Sequence, residues 1–160
     1  MSSTLFNILK LCKKQEVIDS VPQKSSCEDR LVELIEMCGP DRQWLLVEMD
    51  RKNVGNVNLP WHIHDDIEVI EYHGTKVKDF DTSNFGSGCA CCGSVDFFKR
   101  SQEIPTVILS MGKIDGVDED DGYDGLHNNP NQLYHIDGLH RMIGYYNGVS
   151  QQKLRAYVAW

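Results

Sequence analysis

The chain has 160 residues and a mass of 18.2 kDa, the size of one ordinary domain, and its 41% hydrophobic and 25% charged residues exclude a disordered tail. Sixteen Lys and Arg against 24 Asp and Glu leave a net charge of −8, which speaks against a basic face for gripping phosphates and makes nucleic acid the weaker partner expectation. No apolar run approaches the ~20 residues of a bilayer span, so no membrane partner is expected. MSSTLFNILKLCKK is too short and too broken by Asn7 and Lys10 to read as a signal peptide. The expected location is therefore cytoplasmic, and the six cysteines read as thiols or metal ligands rather than a disulfide frame.

Leu5, Ile8, Leu9 and Cys12 fall at i, i+3, i+4 and i+7 and predict a short first helix. A polar linker with Pro22 follows. Ser25 and Glu28 have capping-box spacing, and Leu31, Leu34, Ile35 and Cys38 predict a second helix that Gly39-Pro40 stops. Residues 1–40 thus read as a helical N-terminal extension of a core over 44–160. In that core, residues 44–49 and 67–72 are predicted strands and 79–93 a Gly/Ser/Cys loop. One or two helical turns over 94–102 and a β-branched strand over 104–110 follow. Residues 111–131 form a long loop whose 115–124 stretch carries six acidic residues. That stretch departs from the EF-hand pattern and reads either as a solvated acidic loop or as a Mg²⁺ or cationic-substrate contact.

Residues 132–136 predict a strand, 139–147 a helix with Leu139, Met142, Ile143 and Tyr146 on one stripe, and 153–160 a last strand. The segment Asp137-Gly138-Leu139-His140-Arg141 lies at the helix start. The first amides of a helix lack intrahelical acceptors and carry partial positive charge. With the His140 imidazole and the Arg141 guanidinium beside them, this is a candidate anion site, and phosphate is the usual anion. Asp137 could hold Mg²⁺ or accept a proton from an attacking hydroxyl. The plainer alternative makes Asp137 an N-cap, Gly138 a turn residue and Arg141 a solvated charge.

The order PTVILS…NQLYHIDGLHRMIGYYNG…KLRAYVAW resembles the ParB/sulfiredoxin superfamily over residues 94–160. Partition proteins of that superfamily have Gly-Glu-Arg-Arg at this place, sulfiredoxins Gly-Cys-His-Arg, and its free-serine kinases Asp-Gly-His-His-Arg, the form nearest to this chain. Leu139 stands where sulfiredoxins carry their cysteine nucleophile, so sulfinic acid reduction is not expected. The resemblance implies an α+β fold with a small mixed sheet and flanking helices. It also implies a nucleotide-binding enzyme, a kinase-like phosphotransferase using ATP or ADP with Mg²⁺ on a small hydroxyl-bearing molecule. Gly138, Leu139, His140 and Arg141 would then hold phosphates, with Asp137 and His140 in catalytic roles and Asp137 on the metal. The kinases' upstream acid is not assigned among Glu48, Asp65, Asp66 and Glu68. Two alternatives stand beside this reading. One is a non-catalytic ParB-like module that associates with DNA or senses nucleotide, and the other is a protein-binding domain that keeps the fold alone.

His62-Ile63-His64 and Cys89-Ala90-Cys91-Cys92 supply soft ligands. Zinc takes four such groups in a tetrahedron, and the two clusters would meet if residues 79–93 folded back on 60–66. Otherwise these are ordinary thiols and imidazoles, and adjacent Cys91 and Cys92 pair with each other only under strain. Oligomeric state is not legible.

Overall fold

The computed structural model describes residues 6–21, 28–64, 66–85, 90–114 and 122–160. In chain order the first elements are β1 (Asn7–Cys12), α1 (Lys14–Ser20), α2 (Glu28–Met37), β2 (Trp44–Met49) and α3 (Arg51–Gly55). Then come β3 (Asn58–Leu59), β4 (His62–His64), β5 (Ile67–Ile70) and β6 (Thr75–Lys76), followed by 3-10 turns at Val77–Asp79 and Thr82–Asn84. The last are α4 (Ala90–Arg100), β7 (Val107–Met111), β8 (Leu133–Asp137), α5 (Leu139–Tyr146) and β9 (Leu154–Ala159).

Among the described residues, seven strands form one sheet in the order β1-β2-β9-β7-β8-β3-β6. The β9–β7 and β8–β3 pairs are parallel and the others antiparallel, so the sheet is mixed. β4 and β5 form a separate antiparallel hairpin. Alternation along β2 sends Leu45, Val47 and Met49 to one face, where they join Leu109 and Val158 under Val54, Val95, Met142 and Ile143 of α3, α4 and α5. Trp44 joins Ile108, Tyr134 and Ile136 against Val17, Leu34 and Ile35 of α1 and α2. Helices thus cover both faces, and every residue of central β7 is buried. The α+β class with a mixed sheet and flanking helices is as expected, although the sheet is larger than the small one the sequence suggests.

The helix predicted across residues 5–12 is instead strand β1. Its backbone pairs with β2, from Asn7↔Glu48 to Cys12↔Trp44, with a register shift between Ile8 and Lys10. An apolar stripe at helical spacing has lost here to an open sheet edge that needed a partner. β1 belongs to the main sheet, so the N-terminal region is not purely a helical extension. α4 begins at Ala90, four residues before the predicted start and inside the predicted loop.

Two devices fix α5. Its N-cap is Gly138 at φ 107°, and a Cβ there would lie 2.4 Å from Val107 Cγ1. Its C-terminal carbonyls are gathered by Arg51, whose guanidinium donates to the oxygens of Tyr145, Tyr146 (2.7 Å), Gly148 (3.1 Å) and Ser150 (2.7 Å). Among the described residues no helix is long and apolar enough to cross a membrane.

Candidate metal centre and cavity

Residues i and i+2 of a strand share a face. The β4–β5 hairpin therefore sends His62 and His64 to one side and leaves Ile63 47% exposed on the other. Cys91 reaches the same point from the first turn of α4, where it is buried. Its Sγ lies 3.4 Å from His64 Nδ1 and 3.9 Å from His62 Nε2. One donor atom from each of the three residues falls within 4.8 Å of the other two. Zinc bonds of about 2.3 Å to sulfur and 2.0–2.1 Å to nitrogen at a tetrahedral angle put those atoms about 3.6 Å apart. The observed distances bracket that value, so the triad fits a zinc ion with little movement.

Burial, helped by the neighbouring His64, holds the His62 imidazole below its ordinary pKa, which keeps it neutral and able to ligate at neutral pH. The two predicted clusters meet, and among the described residues Cys91 is the member of the cysteine run that joins the two histidines. Cys92, one residue on, is turned about 100° around α4 and packs against the main core. Cys89 lies outside the described residues. Cys12, Cys38, Cys91 and Cys92 are thiols rather than disulfides.

His62 also borders a cavity of about 610 Å³. Its wall runs over Pro60 and Trp61, across Tyr123 and His135, and along Asp137, Gly138, Leu139, His140 and Arg141. The predicted anion segment therefore lines the same cavity as His62, the one member of the candidate metal triad that borders it. Within the segment the roles differ from those expected. Arg141 turns back, donating to the Asp137 carboxylate and to the Thr106 carbonyl, and the two side chains of the pair are 16% and 22% exposed. Asp137 is the last residue of β8 and an ion-pair partner, not an N-cap. The missing Cβ of Gly138 makes room for Val107.

The His140 ring stands edge-on to that of His62, with centroids 6.4 Å apart, and Phe85 lies 6.2 Å from it. Its Nε2 is buried with no protein hydrogen-bond partner among the described residues. Burial first, then the charges His62 and His64 would carry, pushes its pKa down to about 4. His135 is likewise lowered to about 4, chiefly by burial. The Tyr123 hydroxyl donates to the His135 carbonyl at 2.8 Å, and burial raises its pKa.

Residues 29–160 match the model of a family described as a family of unknown function, DUF6309. The chain belongs to that family. No curated protein and no solved structure matches it. His62, His64, Cys91, Asp137, His140 and Arg141 all fall inside the stretch that matches DUF6309, whereas β1 and α1 lie before it.

His135, Trp61 and Tyr123 also line the cavity, although no motif in the sequence singles them out. His135 was legible in principle, since it sits two residues before Asp137 on one strand. Tyr123 arrives from the long loop with no local signal. Of the upstream acids, Glu48 sits 3.8 Å from Arg155 and does not border this cavity. Glu68 accepts from the indole of cavity residue Trp61 at 2.9 Å. Asp66 is in the hairpin turn at φ 63°. Asp65 and residues 115–121 of the acidic loop lie outside the described residues.

Proposed function

We propose that the protein is a zinc-dependent enzyme that hydrolyses a small molecule in the cavity beside α5. The observation that carries this reading is the convergence of His62, His64 and Cys91 within 4.8 Å of one another, with His62 lining the cavity. Among the described residues three donors converge, and a tetrahedral zinc held by those three would keep its fourth position for water or substrate, as catalytic zinc sites do. A zinc ion there would acidify a bound water toward neutrality and polarise a substrate oxygen. The cavity's size suits a small substrate with an apolar body, and Trp61 and Tyr123 give it aromatic walls. The water would add to a carbonyl carbon or phosphorus, and the leaving group would depart with a proton.

The test is metal analysis of the full chain purified under reducing conditions. The parent should carry about one equivalent of zinc, and His62→Ala or Cys91→Ala should lose most of it. Parent protein that neither carries nor takes up zinc would overturn the reading.

A second reading keeps the cavity and changes the chemistry: a ParB/sulfiredoxin-like, Mg²⁺-dependent phosphotransferase using ATP or ADP. What favours it is that the first turn of α5 walls the same cavity and that β7, β8, α5 and β9 follow in the superfamily's order. Thermal-shift measurements with ATP, ADP and CTP plus Mg²⁺ discriminate. A nucleotide at ~100 times its Kd stabilises by about 2.7 kcal/mol. No shift with any nucleotide removes this reading, and a shift without turnover favours a nucleotide-sensing module.

A further inference from the structure

We infer that His140 positions the water on the metal, accepting its hydrogen bond through Nε2. This rests on the zinc reading above and concerns the fourth position beside His62, His64 and Cys91. A buried imidazole nitrogen with no partner among the described residues keeps its full desolvation penalty, so its retention asks for a ligand that completes it. His140 is held in place rather than free to swing. Its backbone belongs to the first turn of α5, the tilted Phe85 ring neighbours its own at 6.2 Å, and the neighbouring Arg141 ties that turn to β8 and to Thr106.

Distance decides what the nitrogen meets. A fourth ligand would need its donor atom about 3.4 Å from the other nitrogens, yet His140 stands outside the group of donors within 4.8 Å. A water about 2.0–2.2 Å from the ion, donating over about 2.8 Å, reaches a group one shell further out. The edge-on ring at 6.4 Å from His62 stands at that range. An imidazole protonated on Nδ1 offers Nε2 as an acceptor, which also orients the oxygen lone pair away from His140 and toward the cavity.

The experiment compares zinc affinity, by chelator competition, for the parent, His62→Ala, His140→Leu and His140→Gln, with the apo melting temperature of each. Replacing a group that orients a metal-bound ligand weakens metal binding by 10–100-fold. His140→Leu should therefore bind zinc about tenfold more weakly than the parent. The glutamine amide oxygen still accepts, so His140→Gln should recover most of that loss. The apo melting temperatures should stay together. In cobalt-substituted protein, His140→Leu should keep the thiolate-to-metal charge-transfer band of Cys91 but alter the visible ligand-field bands, a signature that loss of packing alone would not move.

Unchanged affinity and ligand-field bands in His140→Leu would overturn the inference while leaving the metal site standing. A loss in His140→Gln as large as in His62→Ala would also overturn it, because His140 would then be a direct ligand. A parent that binds no zinc would overturn both.

Discussion

Arg141 offers the sharpest test of how the α5 segment works. As a phosphate clamp on an open helix start, its replacement by lysine would spare the apo protein and harm only ligand binding. The structure predicts the reverse order of effects. The guanidinium bridges two acceptors at once, the Asp137 carboxylate and the Thr106 carbonyl, from a position only 16% exposed. A lysine ammonium is a point charge on a flexible stem and reaches one of the two. The other acceptor then loses a charge-assisted bond, and hydrogen bonds to charged groups are each worth about 1.5–3 kcal/mol. For a domain of this size, 1 kcal/mol moves the melting temperature by about 2–4 °C. Apo Arg141→Lys should therefore melt about 3–12 °C below the parent. Arg141→Met should fall further, because it leaves the partly buried Asp137 charge uncompensated. Adding Asp137→Asn to Arg141→Met should recover part of that loss, so the double variant will be more stable than the sum of the singles predicts. The assay is reversible thermal or urea unfolding of the ligand-free chain. An Arg141→Lys protein that melts with the parent would refute the bridging argument and return the guanidinium to ligand binding.

Gly138→Ala should lose about 2–4 kcal/mol in urea unfolding, from a left-handed backbone at φ 107° and from a methyl group driven to 2.4 Å from Val107 Cγ1. An unchanged urea midpoint would show that the turn can relax. The pH dependence follows from His135 and His140, both lowered to about 4 in the fold against about 6.5 unfolded. Between those values the unfolded chain binds more protons, so their stabilisation is complete above about 6.5 and is lost as pH falls toward 4. His135→Gln should flatten the urea midpoint between pH 6.5 and 5 relative to the parent. An identical slope would remove His135 from the effect.

Local sequence carried the parts of this fold that local physics decides. The apolar runs at 44–49, 107–111, 133–137 and 154–159 became strands, and the capped stripes of α2 and α5 became helices. The HxH and CxCC clusters were legible as soft donors that would meet if the intervening loop folded back, and His62, His64 and Cys91 do come together. What long-range pairing decides was not legible. β1 carries a stripe that fits a helix, and only the free edge of β2 makes it a strand. Residues 90–93 read as loop because Gly93 and three small residues weaken the helical signal. Packing on α5 overrides it, with Phe98 Cβ seated where a Cβ on Gly144 would be 2.4 Å away. The Asp137–Arg141 pair has i,i+4 spacing, but Asp137 belongs to a strand, so the helix rule for such pairs did not point to it.

The place of β9 shapes how this chain must come together. It lies between β2 and β7, in register from Trp44↔Ala159 to Met49↔Leu154 on one side and from Val107↔Ala156 on the other. The strands it joins to it are separated from one another by much of the sequence, and until β9 arrives the β1–β2 ribbon and the β7–β8 ribbon have no shared edge. A growing polypeptide on the ribosome would hold two unfinished half-sheets, each with an unsatisfied row of backbone amides and carbonyls. Such non-local closure is slow, and the waiting edges are the surfaces on which nascent chains aggregate. Production at low temperature or with abundant chaperones should therefore raise the soluble yield more than further stabilisation of the native state would.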